Sequence, residues 1–158
     1  MDELEQAIAI TETLRTHIEA EIERARDRRA LIRSLDSAGL LESVRHREDF
    51  NRQVARLEHE LSELTARALQ RRGLAKGNLT ALVRAEPGRG EALASRLGEL
   101  RELVRSLRHA DATNQNVTRH ALRWIRSCVS TVAPSPVAYD RRGAAQAAGP
   151  ISTSCRVA

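Results

Sequence analysis

Five histidines, two cysteines and a run of aliphatic residues around a single tryptophan are the side chains through which this sequence could do chemistry. The histidines do not make a metal set. His59-Glu60 lacks the second histidine of a zinc helix motif, and His46 and His59 are thirteen residues apart on a charged surface. Cys128 and Cys155 form no Cys-x-x-Cys pair and read as free thiols. Gly88-Arg89-Gly90 is too short for a phosphate loop and follows no strand. The carboxylates are scattered along expected helix exteriors, and no serine or cysteine has the setting of a nucleophile, so neither catalysis nor a metal or cofactor is expected. What remains is recognition. Val117, Ala121, Leu122, Trp124, Ile125, Cys128, Val129 and Val132 form an apolar stripe at helical spacing. Pro134-Ser135-Pro136 and then Tyr139-Asp140-Arg141-Arg142-Gly143 follow at once. Anchors at three and four spacing are what helix-in-groove binding requires.

A long helical scaffold has to present that stripe. Leu4, Ala7, Ile8, Leu14, Ile18, Ile22, Ala25, Ile32 and Leu35 recur at one helical face and predict a first helix over about 2–35. Asp2, Glu3 and Glu5 suit the positive end of its dipole. Asp36-Ser37-Ala38-Gly39 supplies a stop and a restart. The second helix, over about 40–72, rests on the heptad Phe50, Val54, Leu57, Leu61, Leu64 and Ala68, extended upstream by Val44 and Leu40. Arg71-Arg72-Gly73 is its expected C-terminal cap. A short connecting helix over about 79–84 is capped by Asn78 and stopped by Pro87, with a turn over 86–90. The third long helix, over about 90–132, carries Leu93, Leu97, Leu100, Leu103, Val104 and Leu107, turns polar at Asp111 and Asn114, and resumes its stripe to Val132 before Ala133-Pro134 ends it.

The expected fold is therefore all-α. Residues 1–133 form an elongated, mainly antiparallel, coiled-coil-like three-helix bundle with a short connecting helix, and 134–158 form a flexible tail rich in Pro, Ala, Gly and Ser. With 2% aromatic residues, Leu, Ile, Val and Ala must fill the core, which favours thin helical layers. The net charge of +5 is carried by arginine, and Lys76 is the lone lysine. Acidic and basic residues alternate, as at Glu21-Ile22-Glu23-Arg24-Ala25-Arg26-Asp27-Arg28, which reads as a solvated helix surface rather than a nucleic-acid-binding face. No run reaches the length of a membrane span, and the acidic N-terminus has no leader pattern, so the expected location is cytoplasmic.

Helix lengths add a geometric expectation. The first two helices are about 50 Å long and the third about 65 Å, so its last turns would overhang by about 15 Å. Leu122, Trp124, Ile125, Cys128, Val129 and Val132 would then form an exposed apolar patch, the usual mark of an interaction site. A free chain could also pair with a second copy there.

The order of these segments resembles that of the FlgN-like flagellar export chaperones across nearly the whole chain. Leu40-Leu41-Glu42-Ser43-Val44 with Arg47-Glu48 looks like that family's second-helix opening, and Gly73-Leu74 with Leu79-Thr80-Ala81-Leu82 like its connecting segment. Asp111-x-x-Asn114 stands where the family often has two asparagines three apart, here with aspartate first. Ala121-Leu122-Arg123-Trp124-Ile125 and Tyr139-Asp140-x-x-Gly143 are similar to its helix end and tail motif. The resemblance implies a cytosolic chaperone that holds hook-associated proteins of the FlgK and FlgL type by their C-terminal amphipathic helices and delivers them to the export gate protein FlhA. It implies client binding at Val117 to Val132 and gate contact at Tyr139, with Asp140 and Gly143 in the same motif. Two other readings stand beside it: a structural or regulatory coiled-coil protein, and a nucleic-acid-associated protein using Arg119, Arg123 and Arg126 with Arg105 and Arg108.

Overall fold

A computed structural model describes residues 2–74 and 79–132 and, as backbone alone, 138–139 and 145–146. Four helices account for nearly all of the described chain: α1 (Glu3–Ser34), α2 (Ser37–Arg71), α3 (Leu79–Ala85) and α4 (Pro87–Val132). The fold is all-α. Within the stretch expected to be an unstructured tail, two-residue strands β1 (Ala138–Tyr139) and β2 (Ala145–Gln146) pair antiparallel, with Ala138 opposite Gln146 and Tyr139 opposite Ala145. The chain divides into two compact units, Met1–Thr118 and Arg119–Ala158.

Local signals account for the helix ends of the first unit. Asp2 caps α1 in a reciprocal capping box with Glu5. Hydrogen bonding to Glu3 is the main influence holding the Asp2 carboxyl below its ordinary pKa; desolvation opposes it, and the Arg72 and Arg89 guanidinium groups add to it. At the end of α1, Leu35 N–H donates to the Ile32 carbonyl and Asp36 N–H to that of Leu31, a Schellman pattern that forces Leu35 to φ 55°. The end of α2 has the same pattern with glycine in that place: Gly73 donates to Gln70 and Leu74 to Leu69, at φ 65°. The contrast makes a prediction. Leu35→Gly removes a left-handed leucine that is 46% exposed and is expected to raise stability by about 0.5–1 kcal/mol, read from urea unfolding.

Two helix starts lie earlier than the sequence pattern placed them. Asp36 caps α2 by accepting from Gly39 N–H at 3.0 Å, so the helix opens at Ser37 and Gly39 sits in its first turn. α4 opens at Pro87 rather than Gly90, because a proline at the first helical position gives up only an N–H that has no intrahelical partner there.

One apolar cluster fills the first unit. α1 contributes Leu4, Ala7, Ile10, Leu14, Ile18, Ile22 and Ala25; α2 contributes Phe50, Leu64, Ala68 and Leu69. Leu82 of α3 and Leu93, Leu100, Leu107 and Ala110 of α4 complete it. Val54, Leu57 and Leu61, expected as core, are half-buried against the cluster. The upstream extension of the α2 stripe fails at Val44, which is 52% exposed.

Polar contacts set the helix directions. Arg71 near the end of α2 holds Glu3 at the start of α1 through 2.9 and 2.7 Å contacts, and Arg28 late in α1 donates to Ser43 early in α2, so these two helices run in opposite senses. Arg89 meets Asp2 and Glu5, Arg96 meets Glu12, and Asn114 meets Ala25 and Arg29, so α4 ascends beside α1 in the same sense. Arg72 also bonds Glu86 between α3 and α4, tying the end of α2 to the start of α4.

Candidate protein-interaction site

The apolar core of the first unit ends at a charged layer, and this layer fixes α4. Glu21, taken from its neighbours to be a solvated surface residue, is fully buried. Its Oε1 accepts from Arg28 Nη2 at 3.1 Å and Arg47 Nη1 at 3.0 Å. Arg47 also donates to Asp111 Oδ2 at 2.7 Å, so one guanidinium bridges a carboxylate on α1 and one on α4. The second Glu21 oxygen, Oε2, accepts no hydrogen bond, and Arg24 Nη1 stands 3.6 Å from it. One turn on, buried Asn114 donates from Nδ2 to the Ala25 carbonyl at 2.6 Å and accepts from Arg29 Nε at 3.2 Å. Groups this buried are costly unless satisfied, so each bond restricts the register of α4 against α1 and α2. The expectation that carboxylates sit on helix exteriors is wrong here for Glu21 and also for Glu3, which is 8% exposed.

The sequence carried a signal for this layer that hydrophobicity alone could not read. Leu14, Ile18, Glu21, Ala25, Arg28 and Ile32 alternate spacings of four and three, and so do Ser43, Arg47, Phe50 and Val54 on α2. Asp111 and Asn114 continue the Leu100, Val104, Leu107 seam of α4. All these polar residues therefore occupy seam positions.

Beyond Asn114 the character of α4 changes. Val117, in the first unit, is half-buried. In the second unit Ala121 and Ile125 are half-buried, while Leu122 is 48%, Trp124 63% and Val129 58% exposed, and Cys128 is an exposed free thiol. Val132 is the last residue of the helix. At 3.6 residues per turn, Val117, Ala121, Trp124, Ile125 and Cys128 share one helix face, with Leu122 and Val129 along its flank. Arg119, Arg123 and Arg126 take the opposite face, where an Arg123 Nη2 lies 3.0 Å from His120 Nδ1. A face so apolar and so exposed can bury its Trp and aliphatic groups against the apolar side of another helix. Tyr139 falls on β1 with its backbone opposite Ala145. Asp140, Gly143 and Cys155 lie outside the described residues.

Among the described residues no group of three or more His, Cys, Asp or Glu is placed to hold a metal, and no helix is long and apolar enough to cross a membrane. The helices, the buried layer and the exposed apolar helix end describe an all-α protein-interaction module. The family described as FlgN protein matches residues 1–147, and the chain belongs to that family of flagellar export chaperones. Searches among curated proteins and among solved structures returned no match.

Proposed function

We propose that this chain is a cytoplasmic chaperone that keeps hook-associated proteins of the FlgK and FlgL type from polymerising early and delivers them to the export gate protein FlhA. In this reading α1, α2 and α4 form an antiparallel three-helix scaffold. The stripe Val117, Ala121, Leu122, Trp124, Ile125, Cys128, Val129 and Val132 takes the client's C-terminal amphipathic helix. Tyr139, with Asp140 and Gly143, contacts the gate from a tail that folds on its partner and releases readily. No nucleic acid or membrane insertion is involved, and a free chain pairs with a second copy through the uncovered stripe.

The observation that carries the reading is the exposure of Leu122, Trp124 and Val129 on one stretch of helix in a member of this family. Helix lengths support it: α1 ends at Ser34 and α4 at Val132, so past the Arg29–Asn114 contact five residues remain on one and eighteen on the other.

Co-expression with hook-associated proteins and pull-down tests it. Trp124→Ala and Ile125→Asp are expected to weaken client capture at least about tenfold, as truncating an interface anchor does. Tyr139→Ala is expected to leave capture intact and reduce binding to the FlhA cytoplasmic domain. Failure of any hook-associated protein to co-purify with the parent chain would sink the proposal. If deleting 134–158 leaves every partner interaction unchanged, the coiled-coil reading takes its place.

A further inference from the structure

A second surface lies on the first unit. Leu61 and Glu58 of α2 face Leu97, Arg101, Val104, Arg105 and Arg108 of α4 across a groove floored by Leu14, Ile18 and Leu100, with a volume of about 470 Å³. Its floor is buried, while Leu61, Leu97 and Val104 on its walls are only half-covered. The rim is unbalanced. Arg101 and Arg108 are exposed and pair with no carboxylate among the described residues, whereas Arg28, Arg47 and Arg71 each meet one on another helix. Arg105 pairs only within its own helix, with Glu102 at 2.6 Å, and Glu58 is the lone carboxylate in the lining.

We propose that this α2–α4 groove is a docking site for an acidic amphipathic helix of a protein partner. The partner's aliphatic face would cover Leu61, Leu97 and Val104, and its flanking carboxylates would meet Arg101 and Arg108. The apolar floor gives a phosphate backbone nothing to bind, whereas it can bury the apolar face of such a helix. Arginines one and two helical turns apart match carboxylates at the same spacing on a second helix. The inference stands apart from the client reading, since it uses none of the residues from Val117 onward.

The test uses the full chain and two five-turn synthetic peptides with the same leucine stripe, one flanked by glutamates and one by lysines, read by fluorescence anisotropy. The acidic peptide is expected to bind and the basic one not. Arg101→Glu with Arg108→Glu, both exposed and therefore tolerated by the fold, is expected to weaken the acidic peptide by about tenfold or more. Glu58→Gln is expected to tighten it severalfold, an effect that a damaged fold does not produce. Trp124→Ala should leave this binding unchanged, which separates a failure here from a failure of client capture. Equal binding of the two peptides, no binding of the acidic one, indifference to the arginine reversals, or tighter binding of a short DNA duplex than of the acidic peptide each overturns the proposal.

Discussion

Arg47→Met is expected to destabilise the first unit by about 3 kcal/mol, which urea unfolding followed by circular dichroism measures directly. The methionine keeps the apolar stem of the arginine and removes its cation. Arg47 donates hydrogen bonds to both Glu21 and Asp111, at 3.0 and 2.7 Å, whereas Arg28 bonds Glu21 at 3.1 Å and stands 3.9 Å from Asp111. It also lies 5.3 Å from the centre of the Phe50 ring. Without it, Glu21 keeps Arg28 for one oxygen, while the other is already without a hydrogen bond, in a side chain that is fully buried. A buried carboxylate that loses one of its two hydrogen-bonded cations is the costly outcome of breaking such a pair. Arg24→Met is the control: its side chain is 51% exposed and stands 3.6 Å from Glu21, so its loss should cost less than about 0.5 kcal/mol. Replacing Glu21 by methionine in the Arg47→Met background should recover part of the loss, because two apolar side chains need no counter-ion. If the two arginine variants cost the same, the buried layer does not hold the helices in register.

Gly90→Ala is expected to cost about 3 kcal/mol, against the ordinary helix preference for alanine. A Cβ at Gly90 would stand 2.6 Å from Val83 Cα and 2.9 Å from the Leu82 carbonyl oxygen. Both obstacles are backbone, so α3 would have to lift away from the first turn of α4. Leu82, fully buried, would move with it, and so would the packing it shares with the main cluster. Gly98 on the same helix has nothing within 4 Å of a built Cβ, and Gly98→Ala should stabilise by up to about 1 kcal/mol. Thermal unfolding of the two variants should therefore move in opposite directions. A shared direction would mean that the α3–α4 contact is not close.

The helices themselves were legible because long apolar stripes at three and four spacing have no other economical fold. Leu4 to Ala25, Phe50 to Ala68 and Leu93 to Leu107 led directly to the buried cluster. Glycine 73 announced the end of α2 because its left-handed conformation suits it; Leu35 hid the same motif because leucine gives no such hint. Pro87 was misleading, since a proline reads equally as the end of one helix and the first residue of the next. The charged layer was missed for a simpler reason: alternating Glu and Arg looks like a solvated surface until the heptad phase is followed through them.

The sequence by itself determined the all-α class, the long helices and the apolar stripe at the end of α4, because each depends on periodicity within one segment. Whether that stripe is covered depends on how far neighbouring helices reach, and local periodicity carries no such information. Only the tertiary structure decided that Trp124 is exposed and that Glu21 is buried between Arg28 and Arg47. It likewise put Arg101 and Arg108 along an apolar groove, with no acidic partner among the described residues. The same residue types occur in both settings. Burial and pairing depend on what three separate helices bring to one level, which no single stretch of chain encodes alone.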